Sequence, residues 1–339
     1  MTKQSKTLRT TSANARGAIC KTPARSGGDT YDVLVLATMS AGKSSLINAL
    51  AGREILPSAN EATTACLTSI EHRRTAKSFR GAPYSHSGAR MGTQKEASIE
   101  QVRGWNADAQ VRHIRLSGKL STDSPVGAPK LVLHDTPGPN NSQDGRHAEL
   151  MREAVRGIPF KLLFYVLNAG QLGTWDDRRL LEQVRDLLAR RAGHRLVFIL
   201  NKVDLLDPER GENLAGHVAR ARHYLEGLGF AEPVILPTMA NLALVARKAL
   251  GAQVLTRVER GRLRQALDDL AADNACPLQD AAMPGALKAR VRQHLEKTQK
   301  ASVAPPGIEA GAVAQLEQLI KLSGIRTVEF LLHQRSTAA

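Results

Sequence analysis

Residues 37–44 read Ala37-Thr38-Met39-Ser40-Ala41-Gly42-Lys43-Ser44. The spacing matches a phosphate-binding P-loop, with alanine in the position of the first glycine. An apolar run over residues 33–36 precedes the loop and a helical pattern over residues 43–51 follows it, which is the strand–loop–helix context that such a loop requires. Successive backbone N–H groups in this turn can cradle phosphate oxygens at the positive end of a helix.

Individual residues of the loop have separate chemical tasks. Gly42 lets the backbone approach a phosphate closely, Lys43 supplies positive charge to the β- and γ-phosphates, and the hydroxyl of Ser44 suits Mg²⁺. The predicted nucleotide contacts of this loop are Ala37, Met39, Ser40, Ala41, Gly42, Lys43, Ser44 and Ser45.

A second motif, Asp135-Thr136-Pro137-Gly138, directly follows a predicted strand that ends at His134. Asp135 can hold Mg²⁺ through water, and the Gly138 N–H can contact the γ-phosphate. Between the two motifs, residues 61–65 contain two adjacent threonines, and we expect Thr64 to close over Mg²⁺ and the γ-phosphate.

A third motif, Asn201-Lys202-Val203-Asp204, follows a predicted strand over residues 196–200. A carboxylate here can accept two hydrogen bonds from N1–H and N2–H₂ of guanine. Adenine has no such donor pair, so the motif predicts selection of GTP over ATP. After the next strand, the stretch 236–240 is expected to bring backbone at Met239 and Ala240 onto the base.

The wider pattern predicts an α/β fold. From residue 147 onward, short apolar runs alternate with helical segments, which indicates βαβ units and a mainly parallel central sheet in a three-layer P-loop NTPase fold. We predict a disordered basic tail at 1–30, a G domain at 31–255, and a small α-helical C-terminal extension at 256–339 with a linker near 301–311. Residues 75–96, which contain Gly81, Pro83, Gly88 and Gly92, are expected to form loops.

The composition of the chain limits where in the cell the protein is expected and what kind of partner it is expected to bind. No apolar run is long enough to cross a membrane, no secretory signal is evident, and Cys20, Cys66 and Cys276 form no metal or disulfide pattern. These features predict a cytoplasmic protein in which Cys66 is a buried free thiol. The chain has 47 Lys and Arg against 32 Asp and Glu, a net charge of +15, which favours a polyanionic partner such as acidic lipid or nucleic acid. We therefore expect it to lie in the cytoplasm, with the membrane surface and the nucleoid as the two alternatives for peripheral association.

Taken together, these motifs resemble those of dynamin-family GTPases. The residues that carry the resemblance are 40–50 (SAGKSSLINAL), Leu56-Pro57, Thr63-Thr64-Ala65, residues 135–140 (DTPGPN) and residues 201–204 (NKVD). Within the family the chain resembles bacterial dynamin-like proteins, including the type that binds the replication clamp, over about residues 31–255.

The resemblance implies a role for each matching residue. It implies that Ser40, Lys43 and Thr64 take part in catalysis, with Ser40 orienting the attacking water, and that Ser44, Thr64 and Asp135 hold Mg²⁺. Gly138 would belong to the second switch, and Asn201, Lys202 and Asp204 would recognise the base. Pro139 occupies the position of a Ras-like catalytic glutamine, so the resemblance implies slow GTP hydrolysis to GDP and phosphate that is activated when two G domains form a homodimer.

Two alternatives stay open on the sequence. The segment after Gly251 is too short for a dynamin stalk, so we expect either a minimal or truncated member of the family or a helical partner protein that supplies the missing helices. The chain could instead be a GTP-controlled binding module or scaffold on nucleic acid, the ribosome or an acidic membrane, with little hydrolysis.

Overall fold

The structure is a computed structural model that describes residues 30–38, 40–57, 66–122, 128–137, 145–272, 277–298 and 309–333. The strands in these ranges are β1 (Thr30–Ala37), β2 (Leu67–His72), β3 (Arg80–Ser85), β4 (Lys95–Glu96), β5 (Val111–Gly118), β6 (Lys130–Asp135), β7 (Leu162–Asn168), β8 (Arg195–Asn201) and β9 (Ile235–Thr238).

The helices in the same ranges are α1 (Lys43–Ala51), α2 (Ile99–Ala107), α3 (Gly145–Gly157), α4 (Trp175–Leu188), α5 (Leu214–Gly227), α6 (Ala240–Leu250), α7 (Arg257–Ala272), α8 (Gly285–Thr298), α9 (Ala310–Leu322) and α10 (Ile325–His333). Single 3₁₀ turns lie at Ala169–Gln171, Val203–Leu205 and Pro208–Arg210.

The strands form one sheet in the order β4-β3-β5-β2-β6-β1-β7-β8-β9. Parallel pairings join β1 to β6 and β7, β7 to β8, β8 to β9, and β2 to β5. Antiparallel pairings join β2 to β6 and β3 to both β4 and β5. The prediction of a mainly parallel sheet is confirmed.

Strand β1 shows why the fold has three layers. Val33 and Val35 belong to the hydrophobic core on one face of the sheet, and Leu34 and Leu36 belong to the core on the other face. Alternate residues of a strand point to opposite faces, so a strand with no polar face must be covered on both sides. The helices α3, α4 and α5 cover the second face, and α1 and α6 cover the first.

The predicted C-terminal extension packs against helices α1 and α6. Val291 of α8, Leu319 of α9 and Val328 of α10 share a hydrophobic core with α1 and α6. Buried Arg247 of α6 forms an ion pair with buried Glu329 of α10 and also donates to the carbonyl of Ala49 in α1. The extension is therefore joined to α1 and α6 by both apolar and charged contacts.

The prediction that residues 75–96 form only loops is wrong, because this segment contains β3 and β4. Gly81 lies inside β3, where a side chain would not fit. An added Cβ atom would come within 2.4 Å of the side chain of Leu116 and 2.8 Å of the carbonyl oxygen of Arg115 on β5. The glycine reflects close packing of two strands in this case and does not mark a turn.

Other predictions fall wholly or partly outside the described residues. The predicted tail lies there except for Thr30, and of the predicted linker only residues 309–311 are described; α9 begins within them at Ala310. None of the helices in the described ranges is long and apolar enough to cross a membrane.

Candidate nucleotide site

The predicted P-loop connects the end of β1 to the start of α1. Ser40 and Gly42 both adopt left-handed backbone conformations, with φ of 60° and 93°. Gly42 occupies the N-cap position of α1, and no side chain caps the first turn of this helix. The first turn of a helix has N–H groups without intrahelical acceptors, so this loop presents backbone donors at the positive end of α1.

Glycine is required at position 42 for a second reason besides its φ. A Cβ atom there would come within 2.2 Å of Nδ2 of Asn201. The loop and the start of the third motif are therefore in direct contact across neighbouring parts of the sheet edge.

Lys43 forms a buried ion pair with Asp135, the first residue of the second motif. Asp135 is the last residue of β6, and β6 pairs with β1 in parallel register, so both motifs leave the sheet at the same edge. The hydroxyl of Thr136 donates to the carbonyl of Val35 at 3.0 Å and fixes the chain as it leaves β6. The predicted lysine and the predicted acid of the site therefore lie together.

Asn201 connects three segments of the site. Its Nδ2 donates to the carbonyl oxygen of Ala41 at 2.9 Å, and its Oδ1 accepts from the backbone N–H of Ala240 at 3.1 Å and from the hydroxyl of Thr238 at 3.2 Å. All four residues are buried. One side chain thus holds the P-loop against the loop that follows β9.

The rest of the third motif projects from the end of β8. Lys202 adopts a left-handed conformation with φ of 66°, and the side chain of Asp204 in the following 3₁₀ turn is exposed. Burial is the main cause that lowers the pKa of the Lys202 ammonium; Asp204 opposes this shift and Arg262 of α7 adds to it. Arg262 also donates to Oδ1 of Asn241 at 3.1 Å.

The loop after β9 is held by the C-terminal helices. The N–H of Met239 donates to the carbonyl of Ser323, between α9 and α10, at 2.8 Å. Next to it, Gly324 has φ of 77°, and a Cβ atom there would meet the carbonyl oxygen of Pro237 at 2.3 Å. The turn between α9 and α10 therefore packs directly on the backbone of this loop.

The structure brings most predicted site residues to one edge of the sheet. Those it places there are Ala37, Ser40, Ala41, Gly42, Lys43, Ser44, Ser45, Asp135, Asn201, Lys202, Asp204, Met239 and Ala240. Met39, Thr64 and Gly138 lie outside the described residues.

The predicted Mg²⁺ site can be tested against the donors that the structure describes. No cluster of three or more His, Cys, Asp or Glu side chains suited to a metal occurs in the described ranges. Mg²⁺ at a nucleotide site needs only one or two protein oxygens, because phosphates and water supply the rest. The Ser44 hydroxyl and the Asp135 carboxylate lie on two segments that the Lys43–Asp135 pair joins, so their chemistry fits this ion.

Cys66 is the first described residue after the two predicted switch threonines. The thiol is buried and donates to Oδ1 of Asn106 at 3.2 Å. Burial, assisted by the negative charge of Asp135, raises its pKa to about 12. The prediction of a buried free thiol is confirmed.

Three contacts of the site could not be found from motifs. Thr238 donates to Asn201 of the third motif, and Arg262 donates to Asn241 beside the loop after β9. All three residues lie far from the third motif in sequence. Thr238 directly precedes the predicted Met239–Ala240 contact, which is the one sequence signal for it. Arg262 lies in a helix with many charged residues, where the sequence alone does not distinguish it from its neighbours.

Comparison with solved structures finds distant likenesses. Two chains described as an oligomerised bacterial dynamin pair, with a mechanism for long-range sensing and tethering of membranes, are 15% and 18% identical to this chain, with TM-scores of 0.47 and 0.44. They cover 80% and 79% of it, and the match spans 43% of each of them. The chain therefore spans less than half the length of these two proteins.

A variant of Era from Aquifex aeolicus bound to GDP and aluminium fluoride is 15% identical, with a TM-score of 0.38, over 68% of this chain and 58% of the other. No curated protein sequence matches the chain. The sequence model of the Dynamin family, in contrast, matches residues 33–203, which contain the P-loop, the second motif and the third motif as far as Val203. The chain belongs to the dynamin family.

Proposed function

We propose that this protein binds GTP with Mg²⁺ and hydrolyses it to GDP and phosphate through a G domain at residues 31–255. The observation that carries the proposal is the position of Asn201, which bonds to the P-loop at Ala41 and to the loop after β9 at Ala240. A phosphate-binding backbone and a base-binding backbone are thereby held at a fixed separation on one edge of the sheet, as a bound nucleotide needs.

The base would lie between the third motif and the loop after β9. The exposed carboxylate of Asp204 is available for the two donors of guanine, and the aliphatic stem of half-buried Lys202 can pack against the base. Met239 and Ala240 offer backbone close to it. Arg262 of α7 adds a positive charge beside this pocket, so the C-terminal segment would contribute to nucleotide binding.

The phosphates would lie over the P-loop. Lys43 is buried and faces Asp135, so its charge is already directed at the site before a nucleotide arrives. An ammonium group has three donors, and Lys43 can therefore contact phosphate oxygens while it keeps or exchanges its bond to Asp135. Its role is to neutralise charge on the β- and γ-phosphates as the terminal bond breaks.

Ser44, Asp135 and the predicted switch residue Thr64 are the residues that would hold Mg²⁺, and the ion would neutralise phosphate charge. Ser40 is exposed in the P-loop with a left-handed backbone, a position from which its hydroxyl or N–H can reach an attacking water. Since Pro139 offers no side chain to orient water, we propose that hydrolysis is slow in the monomer and is activated when two G domains pair.

Calorimetric titration tests the nucleotide assignment. We expect GTP with Mg²⁺ to bind the full chain and ATP to bind at least about 100-fold more weakly, because a site built around Asp204 leaves polar groups unpaired with adenine. Lys43→Ala should weaken GTP binding by about 10- to 100-fold through loss of a charge-assisted hydrogen bond. Equal affinity for GTP and ATP in the wild type would contradict guanine selection.

Phosphate release measured over a range of protein concentrations tests the second part. Specific activity that rises with concentration, together with dimers that form only with a transition-state analogue, is the expected result. Selective GTP binding with phosphate release indistinguishable from that of Lys43→Ala would instead favour a binding module controlled by GTP, for which the net charge of +15 offers a polyanionic partner.

A further inference from the structure

A cavity of about 360 Å³ lies at the end of α1 that is opposite the P-loop. Its wall includes Gly52 at the C-terminal end of α1, the β2–β3 and β5–β6 connections, and residues of α6, α9 and α10. Helix α1 begins at Lys43 in the nucleotide site and ends at Ala51 beside this cavity. The two sites are therefore at opposite ends of one helix.

Three cations from three separate segments line this cavity, which we call the basic cavity. They are Arg53 after α1, Lys77 between β2 and β3, and Lys119 after β5. All three side chains are exposed, and none forms an ion pair with a carboxylate of the described ranges. Gathering like charges is unfavourable unless an anion offsets them, so this arrangement is suited to an anionic ligand.

The carboxylate in the wall does not offset these charges. Glu317 of α9 pairs with Arg326 at 2.8 Å, and Arg326 also pairs with Glu329 at 3.2 Å. Glu329 in turn pairs with Arg247, which also lines the wall. The two buried or half-buried arginines are thus matched by two glutamates, and the charges of Arg53, Lys77 and Lys119 remain in excess.

The negative end of α1 is also neutralised. The carbonyl of Leu50 accepts from the N–H of Ser121 at 2.6 Å, that of Gly52 accepts from Gln253 at 3.2 Å, and that of Ala49 accepts from Arg247. These bonds satisfy carbonyl groups that would otherwise repel an anion. The hydroxyls of Ser78 and Ser121 add neutral donors to the wall.

We propose that the basic cavity is a second anion site that binds a phosphate-bearing ligand, of the phosphomonoester or pyrophosphate class. Its volume is in the range of small-molecule sites, and three exposed cations with neighbouring hydroxyls match a compact group with two or three negative charges. A soluble phosphorylated compound and a phosphorylated lipid headgroup share this chemistry. The site is independent of the nucleotide assignment, because none of its residues belongs to the three motifs.

Titration with pyrophosphate tests the site in the Lys43→Ala background, in which the P-loop is weakened as a competing anion site. Lys77→Gln combined with Lys119→Gln should weaken pyrophosphate binding about tenfold, because two charge-assisted contacts are lost. Arg74→Gln combined with Arg103→Gln removes the same charge from exposed positions outside the cavity and should change binding less than about twofold. Circular dichroism confirms that each variant is folded.

Sedimentation with phosphatidylcholine vesicles, with and without phosphatidic acid, identifies the source of the phosphate. A selective loss of vesicle binding in the Lys77/Lys119 variant supports a lipid headgroup, and a loss in the pyrophosphate titration alone supports a soluble ligand. The proposal is wrong if both double variants behave alike in both assays, or if Lys43→Ala alone removes all pyrophosphate binding. Identical behaviour of the two double variants leaves the proposed GTP site unaffected, whereas loss of all pyrophosphate binding in Lys43→Ala would assign that binding to the P-loop.

Discussion

Replacing Asn201 with alanine removes the side chain to which three buried polar groups are hydrogen-bonded. The carbonyl of Ala41 loses its donor, and the N–H of Ala240 and the hydroxyl of Thr238 lose their acceptor. A buried hydrogen bond contributes about 1 kcal/mol net, and more where the remaining group stays unsatisfied. We therefore expect Asn201→Ala to lower the free energy of unfolding by about 3 kcal/mol in the absence of any nucleotide.

Urea unfolding of the nucleotide-free protein measures this loss. With a slope of about 3 kcal/mol per molar urea, a loss of about 3 kcal/mol lowers the midpoint by about 1 M. Asp204→Ala is the matched control in the same motif, because its side chain is exposed and the described residues give it no comparable set of bonds. It should change stability by less than about 0.5 kcal/mol.

Nucleotide titration then separates the two residues. Both substitutions should weaken GTP binding, but only Asn201→Ala should also destabilise the free protein. If Asn201→Ala leaves the urea midpoint where it is in the wild type, the side chain does not hold the two loops together, and the reasoning that connects the P-loop with the loop after β9 fails.

Three further predictions concern single residues. Glu329→Ala leaves the buried Arg247 cation without its carboxylate and should destabilise the fold by about 3–5 kcal/mol in thermal unfolding, whereas an unchanged melting temperature would show that water replaces the pair. Because its pKa is raised to about 12, Cys66 should remain protonated at pH 8 and should not react with iodoacetamide in the folded protein. It should react once urea unfolds the chain. Rapid labelling of Cys66 in the native protein, measured by peptide mass spectrometry, would contradict its burial. Asp204→Asn should weaken GTP binding by at least about 100-fold and gain affinity for xanthosine triphosphate, whose exocyclic oxygen accepts a hydrogen bond where the exocyclic amine of guanine donates one. Competition binding measures this change. An unaltered base preference would place the base elsewhere.

The motifs predicted which residues lie together because the sequence pattern of each motif is local. The P-loop follows β1, Asp135 ends β6 and Asp204 follows β8, and parallel strands bring their carboxyl ends to one edge of the sheet. The contacts that join the motifs are not local. Asn201 meets Ala41 only because β8 lies two strands from β1 in the sheet order, which no pattern around residue 201 encodes.

The wrong prediction has the same cause. Gly81 and Pro83 are typical of loops, but in β3 the glycine accommodates the side chain of Leu116, and the pairing with β5 supplies the hydrogen bonds that stabilise the strand. The packing of the C-terminal helices could not be predicted from the sequence either. Their amphipathic patterns predicted helices, but only the structure shows that α9 and α10 lie on α6.

The turn between α9 and α10 has a consequence for how the chain matures on the ribosome. Met239 and the buried face of α6 obtain their partners from Ser323 and from helices that follow them in the chain. Until residues 309–333 leave the exit tunnel, a nascent chain with all three motifs already synthesised still exposes the apolar face of α6, and the loop after β9 lacks its bond to Ser323. Nucleotide competence should therefore appear only after residues 309–333 have emerged, and molecular chaperones have an interval in which to bind the incomplete protein.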